Sequence, residues 1–175
     1  MGVSDDEKPS VIEAAPTQID SGVLTDSPGV LVFPPAFFLG TLLLGLLLHL
    51  LWPAQLSTTP WVRIAEVGVM VAGILLAAWG RRTMVHAGTN VPPNKPTLAI
   101  VTSGPFRFTR NPLYLGATSV YVGLTLIFNA VWPFLLFVPM LLVIHWGVVR
   151  REERCLEAKF GDAYLDYKAR VRRWL

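Results

Sequence analysis

A chain of 175 residues in which 53 % are hydrophobic and only 15 % charged has the composition of a membrane protein and not of a soluble domain. Its net charge of +3 arises from basic residues gathered in two segments, a distribution that reads as membrane topology and gives no nucleic-acid footprint. Cys155 is the sole cysteine, and His49, His86 and His145 lie in separate segments without H-x-x-x-H spacing, so neither an intrachain disulfide nor a bound metal is expected.

Residues 1–29 hold Asp5, Asp6, Glu7, Glu13, Asp20 and Asp26 against the lone Lys8 and read as a disordered acidic tail. A secretory leader would need a basic start and an early apolar run, and both are missing, so the mature chain is expected to keep this tail. Residues 30–175 form a single transmembrane domain. Residues 30–52 contain no charge and are long enough to cross a hydrocarbon core of roughly 30 Å as a helix. Residues 64–80 make a shorter second span, interrupted only by Glu66 and flanked by Trp61 and Trp79 as interfacial anchors.

The uncharged run 113–149 would make a helix of about 55 Å, too long for one crossing, so it must turn. The stretch NAVWP at 129–133 supplies the turn, because Asn tolerates turn geometry and Pro disfavours the helical state in its predecessor. The fold class that follows is all-α: a polytopic membrane protein of about four transmembrane helices, with a tight helical hairpin and an amphipathic helix at the carboxy terminus. All basic residues except Lys8 and Arg63 fall either between spans two and three or after span four. With four spans these two segments share a side, which the positive-inside rule makes the cytosol, together with both termini.

Two cytosolic stretches carry the chemistry. In the first, "TSGPFRFTRNPLYLG", Gly104-Pro105 makes a turn, Asn111-Pro112 starts span three, and Gly116 removes a side chain one turn further on. The helix start offers unpaired backbone donors suited to a carboxylate or a ribose oxygen, and Tyr114 adds a hydroxyl and a flat apolar face. The plainer reading of the same residues is a Pro-started span with interfacial Arg and Tyr anchors. The second stretch begins at Glu152 and Glu153, one turn beyond span four, where a basic surface helix has little reason to place carboxylates. Pairing with Arg110, Arg107 or Arg150 would satisfy them structurally; alternatively one of them binds an amine or sulfonium in a pocket that excludes water. Further on, Leu156, Phe160, Tyr164, Tyr167, Val171 and Trp174 recur at helical spacing and mark one apolar face, read in the distal half as an interfacial helix with Arg170, Arg172 and Arg173 near headgroups. His145, inside span four, faces either the packed interior or a polar pocket. No G-x-G turn and no Walker sequence occurs, so any cofactor needs another cradle.

The succession "IVTSGPFRFTRNPLYLG", a helical hairpin and "EERCLEAKFGDAYLDYKARVRRWL" resembles the membrane-embedded isoprenylcysteine carboxyl methyltransferases and the related phospholipid methyltransferases, over about residues 88–175. Its two motifs, R-[HN]-P-x-Y-x-G at 110–116 and E-E-x-x-L followed by F-G-x-x-Y at 152–164, are specific together; spans one and two carry no diagnostic residues. The resemblance implies an enzyme that binds S-adenosylmethionine in a cytosol-facing pocket, within residues 88–175, and methylates a membrane lipid or another lipophilic small molecule. Carried over by position, the cofactor contacts are Leu98, Ala99, Ile100, Val101, Phe106, Arg110, Asn111, Pro112, Leu113, Tyr114, Glu152 and Glu153. Glu152, Glu153 and Tyr114 are the candidate proton acceptors for an amine substrate, with no single base chosen among them. Where the prenylcysteine enzymes usually have His and a substrate-binding Arg, this chain has Asn111 and Val148, which leaves Arg150 and Arg151, with His145, as the substrate-side candidates and favours an amine or other lipophilic acceptor. Two rival readings are a sterol-reductase-like enzyme that binds a nicotinamide cofactor and a non-catalytic membrane scaffold.

Overall fold

The computed structural model describes residues 11–13, 32–56, 62–92 and 97–174. Helix α1 (Pro34–Leu51) begins with two prolines in its first turn, where their missing N–H groups cost nothing. Helix α2 (Val62–His86) ends in a turn at Gly88, whose φ of 70° a side chain would oppose. A three-residue strand β2 (Ala99–Val101) pairs antiparallel with β1 (Val11–Glu13), Ile12 opposite Ile100. A 3-10 turn, Gly104–Arg107, then leads to α3 (Pro112–Ile127), again started by proline. Thus three residues of the expected acidic tail take part in a sheet; the rest of that segment lies outside the described residues, as do Trp61 and Lys95.

The hairpin turn falls where the sequence places it. Asn129 adopts φ of 50°, its Oδ1 accepts from the backbone N–H of Leu56 at 2.9 Å, and Gln55 bridges to Ala130, so the α1 exit and the α3–α4 turn meet at one end of the bundle. Helix α4 (Val131–Ile144) continues through a π-helical turn, His145–Val149, into α5 (Arg150–Phe160). The wider turn changes the helical register and buries Gly147, Val148 and Val149. Glycine 161, with φ of 53°, then breaks the chain into α6 (Asp162–Arg170).

Among the described residues three helices are long and apolar enough to cross a membrane: α1, α2 and the continuous helix Val131–Phe160. Helix α3 is apolar but has 16 residues, about 24 Å, so this measure reaches three spans and not the expected four. Leu43, Leu47, Ile74, Leu75, Leu135 and Val138 point outward, the pattern of a surface whose solvent is lipid. Without a hydrophobic force between helices in lipid, close packing must hold them, and α2 meets α3 through Gly73, Gly80, Gly116 and Gly123. Glu66 lies on α2 with Gly73 and Gly80 among that helix's buried residues. On the other side Phe38 and Leu42 of α1, Tyr121 of α3, and Met140, Ile144, Val148 and Val149 form the main core, and the Tyr121 hydroxyl donates to the Pro133 carbonyl at 2.9 Å.

The apolar face of the carboxy-terminal segment corrects the expectation of an interfacial helix. Phe160, Tyr164 and Tyr167, with Leu156 and Val171, pack around Ile100 of β2 in a second core. That face is covered by protein because the break at Gly161 folds α6 back onto β2 and does not let one long helix run along the bilayer.

Candidate functional site

The carboxy-terminal end of α2, strand β2, the 3-10 turn, the start of α3 and the α5–α6 segment converge around a cavity of about 560 Å³. That volume is in the range of small-molecule sites, roughly 300–1,000 Å³, and its wall is mostly apolar with a few polar groups. On α3, Tyr114 stands two residues beyond the helix-starting Pro112, and its hydroxyl donates to Oε1 of Glu152 on α5 at 2.7 Å. Glu152 has no cation against it among the described residues, whereas its neighbour Glu153 has two. Arg110 Nη1 approaches Glu153 Oε1 at 3.0 Å, and Arg173 donates through Nε to Oε1 at 2.9 Å and through Nη2 to Oε2 at 2.7 Å.

The rest of the wall is held by hydrogen bonds that tie distant segments together. Arg110 Nη1 also donates to the Tyr164 hydroxyl at 3.4 Å, while Arg110 Nε is buried without a partner among the described residues. Burial, and then the Glu153 carboxylate, push the Tyr164 hydroxyl up to about 12, so it stays protonated and its oxygen serves as an acceptor. Tyr167 donates to the Phe106 carbonyl at 2.8 Å, and Thr89 Oγ1 accepts from the backbone N–H groups of Leu98 and Ala99 at 3.1 and 3.4 Å, closing the loop that leads into β2.

Of the residues singled out from the sequence, the structure brings Ala99, Ile100, Val101, Phe106, Arg110, Asn111, Pro112, Leu113, Tyr114, Glu152 and Glu153 to this one cavity. Leu98 is not on the wall and is 51 % exposed. Arg150 and Arg151 are also off it. Two residues along a helix turn the side chain by about 200°, so Arg150, which is exposed, falls on the face opposite Glu152. His145 packs against the rings of Trp146 and Trp174 at 5.4 and 6.3 Å, away from the cavity. The Asn111 side chain, which lines the cavity, also donates through Nδ2 to the Arg173 carbonyl at 3.1 Å.

Sequence reading missed three contributions. Phe33, Pro34 and Phe38 bring α1 to the wall, though that helix showed no diagnostic residue. Tyr164 and Tyr167 stood out as an apolar face, a signal that identified their packing and not their polar tips. Arg173, assigned to headgroups, instead grips Glu153, and because it follows the Gly161 break no helical spacing relates the two.

The family model of the phospholipid methyltransferases matches residues 61–163. The match takes in α2, the β2 loop, the Tyr114 and Glu152–Glu153 positions, and stops one residue short of Tyr164. An uncharacterised protein of Haemophilus influenzae is 40 % identical over 63 residues, 36 % of this chain and the whole of that protein. No solved structure matches the chain.

Proposed function

The chain belongs to the phospholipid methyltransferase family, and on that premise we propose that it is a multi-pass membrane enzyme that methylates a lipophilic acceptor, a lipid amine in the first place, from S-adenosylmethionine. The observation that carries this reading is the Tyr114–Glu152 pair on the wall of the cavity: a carboxylate with a hydroxyl to orient it and, among the described residues, no cation against it. Such a carboxylate suits a cationic ligand in a site that excludes water. The orphaned Nε of Arg110 is a buried donor waiting for an acceptor, which fits a ligand that also bears a carboxylate. The cavity's apolar wall fits the remainder of such a molecule.

What the donor supplies when bound is a methyl carbon on a sulfonium, open to in-line displacement. The protein's share is mainly placement: Glu152 would hold the cationic centre, Tyr114 fixes Glu152, and the aromatic and aliphatic wall would keep water out. An amine acceptor must attack as the free base, and of the two carboxylates on the wall Glu152, which has no arginine against it among the described residues, is the one at which its proton can be taken up. In this reading the cavity, the basic segments and both termini face the cytosol, where a soluble donor meets a lipid that enters from the bilayer.

The test is calorimetry on the detergent-purified protein with S-adenosylmethionine and, separately, with NADPH. It is followed by incubation of native lipid extracts with isotopically methyl-labelled donor and mass spectrometry of the lipids. The reading expects binding of S-adenosylmethionine and label in a lipid species. Binding of NADPH instead favours the reductase alternative, and binding of neither favours a scaffold.

A further inference from the structure

The last turn of the chain is anchored across the mouth of α3. The backbone N–H of Arg110 donates to the Arg172 carbonyl at 3.0 Å, and the Arg173 carbonyl accepts from Thr109 Oγ1 at 3.0 Å and Asn111 Nδ2 at 3.1 Å. Trp174 packs against the main core. Arg173 is therefore not a solvated surface cation whose ion pair contributes next to nothing. It is fixed by its backbone, grips Glu153 with two hydrogen bonds, and its partner is 5 % exposed.

Counting charge around the cavity gives Glu152 and Glu153 against Arg81, Arg110 and Arg173, two negative charges against three positive. Arg110 and Arg173 both lie against Glu153, which is more than one carboxylate needs for neutralisation. Arg173 is also absent from the cavity wall, so it acts on a ligand there only through Glu153 and through its field.

We propose that Arg173 is a positioning residue that sets the charge of the cavity, and so fixes how strongly the site prefers the cationic methyl donor over the neutral thioether that remains after transfer. This rests on the methyltransferase reading above. With Arg173 present, Glu153 is locked and more than neutralised, and Glu152 is the carboxylate left to favour sulfonium over thioether. Without it the site gains one net negative charge, which stabilises the cation and leaves the neutral by-product nearly unaffected.

The experiment measures, by calorimetry, the affinities of S-adenosylmethionine and S-adenosylhomocysteine for the wild type, Arg173→Gln, Arg173→Lys and Glu153→Gln, with thermal midpoints alongside. An extra unit charge at a partly screened distance should raise the ratio of the two affinities by roughly three- to tenfold in Arg173→Gln. Arg173→Lys, which keeps the charge, should return the ratio towards the wild type, and Glu153→Gln should lower it. A purely structural strap would weaken both ligands together and leave the ratio unchanged, and that result, or a ratio that falls in Arg173→Gln, overturns the proposal. Should Arg173→Gln fail to fold, the fall in ratio for Glu153→Gln decides the matter alone. If the wild type binds neither compound, the methyltransferase reading itself has failed.

Discussion

Gly73 of α2 and Gly116 of α3 lie so close that a Cβ on either would stand 2.7 Å from the other's carbonyl oxygen. The remaining obstacles at Gly73 are the Ser119 Cβ and the Val120 backbone nitrogen at 2.8 and 2.9 Å, so nothing flexible can move aside. Gly73→Ala should therefore push the helices apart at a cost of about 1–3 kcal/mol, the usual range for overpacking. Because Gly116 is in the same helix as Tyr114, two residues on, the displacement should also weaken cofactor binding. Thermal unfolding in detergent checks the first part and calorimetry the second; a wild-type midpoint would show that the helices part without strain.

The hydroxyl of Tyr114 and Oε1 of Glu152 form the contact on which the cofactor assignment rests. Tyr114→Phe and Glu152→Gln should each weaken S-adenosylmethionine binding, since a hydrogen bond to a charged group contributes about 1.5–3 kcal/mol, or roughly ten- to a hundredfold in affinity. The two losses should not add, because each variant already removes the shared contact. A double-mutant cycle by calorimetry measures this coupling. Strictly additive losses would mean that the two side chains serve the ligand independently, and unaltered binding in both would place it elsewhere.

What could be read from the sequence follows from the reach of each signal. The hairpin at 129–133 was visible because an uncharged run too long to cross once must turn, and the turn chemistry of Asn129 and Pro133 is local. Glu152 and Tyr114 were visible because each belongs to a short motif at one end of that hairpin. Arg173 was not: with Gly161 between them, neither helical periodicity nor net charge could aim it at Glu153 and away from lipid headgroups. Phe38 of α1 likewise reaches the cavity wall only through tertiary packing, and in an apolar span one outward leucine looks like one inward phenylalanine. The β1–β2 pair escaped for a different reason, since three residues within an acidic segment carry no period long enough to detect.

The topology is tested on a Cys155→Ser background. Gln55 and Phe128 belong to the end of the bundle where the α1 exit meets the α3–α4 turn, and Arg107 belongs to the opposite, cavity-bearing end. An impermeant maleimide should label Gln55→Cys and Phe128→Cys in intact cells, and Arg107→Cys only after permeabilisation, because the positive-inside rule expects the basic segments in the cytosol. Labelling of all three from one side would remove the membrane crossing between them, and the reverse pattern would invert the orientation.

The acceptor is tested through the cations that a carboxylate substrate would need. A carboxylate drawn into this cavity would lose water and require a positive partner, since an unpaired buried charge is far too costly. Arg110 on the wall is ion-paired with Glu153 and its unpartnered Nε is assigned above to the methyl donor's own carboxylate, Val148 is wholly buried in the core, and Arg150 is off the wall and exposed. Arg81, exposed on α2, is the other guanidinium lining the cavity among the described residues. An amine acceptor meets the opposite situation, because Glu152 has no competing cation among the described residues and can receive its proton. With labelled donor, vesicles containing phosphatidylethanolamine should therefore be methylated faster than a prenylcysteine analogue, by roughly tenfold or more if one charged hydrogen bond separates them. Equal turnover of the prenylcysteine analogue, abolished by Arg81→Ala, would overturn this preference and identify Arg81 as the cation that binds the substrate carboxylate.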